Sequence, residues 1–171
     1  AGSLYHDIGK MDMPVYFTEN QGMGINPHDE LTSEESAAII ISHVTKGVEL
    51  AKKHKLPEKV IDFIRSHHGT RRTAFFYSKF IKNNPGEPVD ESKFKYFGPI
   101  PYSKETAVVM MADAVEAVSR TLKNPSEESI NEMVENIINS QIEQQQFVNS
   151  DITFKDITVI KKMFKKKLQN M

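Results

Sequence analysis

The amino-acid sequence predicts an all-α protein, and three observations predict it. Apolar residues recur at three- and four-residue spacing over long stretches. Several of those stretches are preceded by residues that cap helices, and no segment sustains the alternation of a half-buried strand. Thr32 and Glu35 have capping-box spacing, so a helix is expected from there with Ala37, Ile40, Ile41, Val44, Val48 and Ala51 as its apolar stripe. Pro57 suits the first turn of the next helix, with Val60, Ile61 and Ile64 as its stripe and Gly69, after His68, as its stop. Residues 83–102 (NNPGEPVDESKFKYFGPIPY) hold four prolines and two glycines and read as an irregular loop. Loops of such length in compact domains are more often functional or mobile than idle. Ser103 opens a helix to about Leu122, which Asn124-Pro125 ends. Ser126 opens another, with Ile130, Met133, Val134, Ile137, Ile138 and Ile142 on its buried face. Thr153 and Asp156 repeat the cap spacing before a last helix carrying Ile157, Ile160, Phe164 and Leu168.

Length and composition fit one globular domain spanning 1–171, with no internal repeat and no low-complexity tract. The net charge of −1 gives no global field to draw in a nucleic-acid polymer or an anionic membrane. Cysteine is absent, which excludes disulfides and thiolate metal sites. No apolar run approaches the roughly 20 residues of a membrane helix. Residues 1–10 carry His, Asp and Lys instead of an apolar leader. The expectation is a soluble piece with no membrane insertion of its own, in a cytoplasmic setting. Lys161-Lys162 and Lys165-Lys166-Lys167 invite a phosphate or lipid contact, but lysines at a helix C-terminus also offset the dipole in solvent.

Six residues carry the chemistry: His6-Asp7 in LYHDIGK, His43 in IISHV, His67-His68 in IRSHHGT, and Asp113 in MMADAVEA. His and Asp together suit borderline-hard divalent ions, and six ligands are more than one ion usually takes. Two ions sharing a bridging carboxylate would use all six, and Asp7 is the natural bridge because a carboxylate has two oxygens to give. Metal-assisted hydrolysis follows, with phosphate esters the first substrate class. His43 stands among Ile39, Ile40, Ile41 and Val44, where burying an imidazole without a partner costs about 1–3 kcal/mol. Asp113 lies in a helix apolar nearly all round, so its carboxylate must be paired, protonated or metal-bound. The alternative partner is Arg120, two turns on along the same face. His28 and His54 read as ordinary core or surface residues. Lys10 is either a charge for the phosphate oxygens or a plain surface lysine. Arg120 is a weaker candidate for phosphate contact, and Tyr77 is a candidate stacking surface for a base, although aromatics at that spacing commonly pack in cores.

The order HD, H, HH, D on successive helices resembles the HD-domain metal-dependent phosphohydrolases. More closely, LYHDIGKM, FTENQ, NPHDELT, SHVTKGVELAKKHKLP, VIDFIRSHHGT and MMADAVEAVSR resemble the cytoplasmic catalytic domain of the seven-transmembrane HD family, over residues 4 to about 168. The resemblance implies an HD helical bundle around a binuclear centre, usually iron or manganese, that hydrolyses cyclic di-AMP to linear pApA through a metal-bridging hydroxide. By position it assigns His6, Asp7 and Asp113 to one ion and Asp7, His43, His67 and His68 to the other. The cyclic di-GMP branch carries Gly-Tyr-Pro after its histidine pair, whereas Gly69-Thr70-Arg71 follows here. The family has a further histidine ligand on a helix before the HD pair, and His6 has only five residues before it. The expectation is a chain lacking its first helix, N-terminally truncated, with a more weakly occupied first site. It also implies the cytoplasmic domain of a bacterial inner- or plasma-membrane protein, open to homodimerisation. The alternatives are a nucleotide-binding sensor with little turnover, a hydrolase of another nucleotide phosphoester, or a structural metal domain.

Overall fold

The computed structural model of the chain describes residues 1–17 and 26–170. Among these residues it holds seven α-helices and no strand, only an isolated bridge between Arg72 and Lys95. The helices are α1 (Gly2–Tyr5), α2 (Ser33–Lys53), α3 (Glu58–Ser66), α4 (Ala74–Asn83), α5 (Lys104–Ser119), α6 (Glu127–Glu143) and α7 (Phe154–Gln169). The all-α expectation is borne out. None of these helices is long and apolar enough to cross a membrane. Of the FTENQ stretch only Phe17 falls within the described residues.

By its packing the chain divides into two compact units, Ala1–Arg65 with Thr70–Gly98, and Ser66–Gly69 with Pro99–Met171. The first is organised on α2, which opens with the full Thr32–Glu35 capping box. Its end is a Schellman turn: Leu56 N–H reaches the Ala51 carbonyl at 2.9 Å while Lys55 takes a left-handed φ of 54°. The N-terminal half of α2 buries Ala37 and Ile41 against Phe76 of α4 and Phe94. Its C-terminal half buries Ala51 against Ile61 and Ile64 of α3, with Tyr5 and Ile8 packed alongside. His43 lies between the two clusters along the helix. In the second unit α5, α6 and α7 enclose Met110, Met111, Val115, Val134, Ile138 and Ile157. Helices too short to persist in water alone are held by such faces.

One helix is added and two expectations are corrected. Residues 74–83, for which the sequence suggests no element, form α4. Its Thr73 N-cap makes no side-chain cap bond, and that hydroxyl donates to the Phe94 carbonyl at 3.1 Å. The loop 83–102 is not irregular throughout. A 3₁₀ turn, Glu91–Phe94, drives Phe94 wholly out of solvent and anchors the segment on α2 and α4. Helix α5 stops at Ser119 and not near Leu122; Thr121 and Leu122 continue with tighter i−3 bonds before Asn124 turns to φ 51°. The lysines of α7 are partly engaged, since Lys161 and Lys165 bind Glu135 at 2.7 and 2.5 Å and hold its carboxyl below the usual range.

The α7 cap makes a pH-dependent contribution. The Thr153 N–H and hydroxyl, followed by the Lys104 ammonium, hold the Asp156 carboxyl down to about 2. The folded chain thus binds this proton more weakly than the unfolded one, whose Asp titrates near about 3.9. The contribution is complete above about pH 4 and is lost as pH falls toward the folded value. Asp156→Asn is expected to melt below wild type at pH 7, with the gap closing between about pH 4 and pH 2. Thermal melts followed by circular dichroism would show this, and a gap unchanged across that range would contradict it.

Candidate metal centre

In the first unit, chain geometry around the His-Asp pair is set by short turns. His6 closes α1, and Asp7 caps a 3₁₀ turn over Ile8–Asp12. His6 Nδ1 donates to the Ser3 carbonyl at 2.7 Å, and His43 Nδ1 to the Ile40 carbonyl at 2.5 Å. A carbonyl can only accept, so each Nδ1 carries the proton and each Nε2 is left to present a lone pair or a second proton. Both Nε2 atoms face Asp7. His6 Nε2 lies 3.3 Å from Oδ2, and His43 Nε2 lies 3.3 Å from Oδ1. Lone pairs and carboxylate oxygens so placed oppose one another until a cation, a proton or a metal ion, stands between them. Backbone carbonyls that fix the ligand tautomer are the usual outer layer of metal-binding histidines. Lys10 Nζ, 2.6 Å from Asp7 Oδ2, offsets the carboxylate charge and lies over the Phe17 ring. The donor set fits a divalent ion.

The second unit holds the other ligand candidates. His67 is buried and His68 half-buried, their ring centroids 4.0 Å apart. His68 Nδ1 stands 3.6 Å from Asp113 Oδ2 on α5. Asp113 is half-buried, with the histidine as one of its neighbours. Arg120 pairs with Glu116 on the exposed helix surface, at 2.5 Å. Tyr77 is also engaged elsewhere: Arg72 lies 4.2 Å from its ring centroid, Phe94 meets it edge to face, and its hydroxyl donates to Glu91. Tyr77 thus helps to pack its own unit, and Arg120 lies exposed at the end of α5. His28 is a core residue between Tyr16 and Phe76, its Nε2 donating to the Tyr16 carbonyl, and His54 is exposed.

Sequence reasoning missed what holds His43 and Asp7 together. Phe17 and Tyr96 meet the His43 ring edge to face, and Gly47, one turn on, faces Gly9 across the α2 contact. A Cβ at Gly9 would overlap the His43 carbonyl oxygen and stand 2.5 Å from the Gly47 nitrogen. Gly47 carried a signal that could have been read: glycine inside a helix costs about 1 kcal/mol against alanine, so its presence asks for a close neighbour.

Helical architecture with His/Asp clusters suited to metal defines a class of all-α metalloprotein. The HD domain model matches residues 1–118, and the chain belongs to the HD-domain family, whose members bind divalent metal. It is 42% identical over 162 residues to the cyclic-di-AMP phosphodiesterase PgpH of Bacillus subtilis. It is likewise 42% identical over 161 residues to that of Listeria monocytogenes. These alignments take in 95% and 94% of this chain and 22% of each relative, so the chain corresponds to about a fifth of their length. The crystal structure of the L. monocytogenes PgpH HD domain in complex with cyclic-di-AMP is similar at 41% identity and a TM-score of 0.94, over 99% of this chain and 78% of that one.

The backbone atoms facing Gly9 cannot step aside as a side chain can. Gly9→Ala is expected to destabilise the protein by roughly 1–3 kcal/mol and to weaken divalent binding. Gly47→Ala should cost less, because its nearest obstacle is the Ile64 Cγ2 methyl at 2.8 Å. Urea unfolding beside metal titration checks both, and wild-type metal affinity in Gly9→Ala would show that this contact does not set Asp7.

Proposed function

We propose that this chain is the catalytic part of a cyclic di-AMP phosphodiesterase that yields linear pApA. The observation that carries the reading is the similarity, over 99% of the chain, to an HD domain crystallised with cyclic-di-AMP. The two PgpH relatives named for that activity support it. The ligands we propose are Asp7, His43, His67 and His68 for one ion, and His6, Asp7 and Asp113 for the other, with Asp7 serving both. The approach of two imidazoles to different oxygens of one carboxylate supports that sharing. Iron or manganese suits this set, since His and carboxylate ligands accept either. When bound, the ions would supply positive charge and a nucleophile available near neutral pH.

The residues' own part is largely preorganisation. Ser3 and Ile40 hold the rings of His6 and His43 in one tautomer, so neither must reorganise when ligand arrives. Lys10 offsets the charge of Asp7 and offers an ammonium to the phosphate oxygens as charge develops on them. Water oxygen is added to phosphorus and the ribose 3′ oxygen leaves as a hydroxyl, which opens the ring and leaves a 5′ phosphate. The same reading makes the chain the cytoplasmic portion of a bacterial membrane protein, able to act as a homodimer. Its partner is the cyclic dinucleotide and not a nucleic-acid polymer.

Incubation of cyclic di-AMP with the protein and Mn²⁺, followed by chromatography beside cyclic di-GMP, is expected to yield pApA. Asp7→Ala should lower turnover at least about 10²-fold, as loss of a shared metal ligand and its charge requires. Binding of cyclic di-AMP without any pApA would instead make the chain a nucleotide sensor.

A further inference from the structure

Helix α6 ends in a Schellman turn made without glycine. Gln145 N–H donates to the Ile142 carbonyl at 2.9 Å, Gln146 N–H to the Gln141 carbonyl at 3.0 Å, and Gln145 takes φ 57°. A left-handed non-glycine residue costs free energy that the surroundings must over-determine. What it achieves is the placement of Gln146, a polar side chain only 2% exposed. Its Nε2 is held by the Gln144 carbonyl at 2.9 Å. Its Oε1 fills the space that a Cβ at Gly69 would need, with Met110 Cε of α5 2.7 Å from the same point. Gly69 follows His68 directly, takes φ 54°, and donates its N–H to the Ser66 carbonyl at 3.0 Å. From α6, Gln141 donates to the Met110 carbonyl at 3.3 Å, one helical turn before Asp113. Ser66–Gly69 accordingly packs with the α5–α7 unit, although the residues on both sides of it belong to the other. Gln141 and Gln146 lie beyond residues 1–118, outside the matched HD model.

We propose that Gln146 is a positioning residue for the His67-His68 pair, acting through the Gly69 turn from a part of the chain outside the HD model. The proposal rests on the reading that these histidines are metal ligands. Shape and polarity both matter: the amide is locked from behind by Gln144 and leaves the turn a single conformation, so the two imidazoles leave it in fixed directions.

The test uses Gln146→Met, which keeps length but removes the amide, and Gly69→Ala, which strains the same contact from the other side. Two quantities are read: Mn²⁺ affinity by electron paramagnetic resonance, and the imidazole ¹H–¹⁵N signals of metal-free protein. Each variant is expected to bind Mn²⁺ about 10- to 100-fold more weakly, the scale of losses when outer-layer partners of metal ligands change. The His67 and His68 signals should move while those of His43 stay, and the double variant should lose less than the two singles combined. Wild-type affinity and unmoved His67 and His68 signals in Gln146→Met would overturn the proposal. If wild type itself binds no Mn²⁺, the metal reading fails and the imidazole signals alone judge the positioning role. If one variant does not fold, the other, or Gln146→Asn with its amide withdrawn by one methylene, gives the same two outcomes.

Discussion

Two imidazoles with their Nδ1 protons committed to carbonyls on their own helical turns meet one carboxylate, and this arrangement governs how the first unit is built. His6 and Asp7 sit in short turns with little packing of their own, while His43 is buried in the middle of the longest helix. Bringing them within 3.3 Å requires the backbone of residues 7–10 to lie almost on the backbone of α2. Only glycine permits that approach, which is why Gly9 and Gly47 face one another there. The aromatic rings of Phe17 and Tyr96 then close around His43 and leave its ring little rotational freedom.

The second unit answers a different demand. A His-His pair at a helix end would ordinarily splay, because nothing in a chain terminus of that kind restricts its torsions. Here the three-helix packing of α5, α6 and α7 supplies a wall, and the turn after the pair is seated on it. The hydrophobic core of this unit therefore serves geometry as well as stability. Large core methionines such as Met110 give the wall a surface that adapts to the turn.

How much of this was legible in the sequence depends on how local each cause is. The caps at Thr32, Ser103 and Thr153 act within one helical turn, and the helices they open could be read directly. The burial of His43 followed from its isoleucine neighbours. Helix α4 was hidden because Thr73 is followed at N3 by Phe76 and not by a capping-box Glu or Gln, and its first turn holds no acidic residue. For Asp113 helical spacing offered Arg120 as a partner but could not offer His68, which lies 45 positions earlier in the chain. Gly47 could have been questioned, being a glycine in a helix interior. Nothing in the local pattern around Gln146 points to Gly69, since that contact exists only once α5 and α6 have packed.

Lys10 carries an implication of its own. An ammonium 2.6 Å from the Asp7 carboxylate is a counter-ion supplied by the chain itself. A domain held together only by its metal would leave acidic and imidazole groups mutually opposed when stripped, and would come apart. Here the chain keeps a positive charge beside the carboxylate, and its apolar clusters are built from other residues. Any cation approaching Asp7 therefore meets an ammonium already beside its Oδ2, so binding there is an exchange of charge and not the filling of a bare anion.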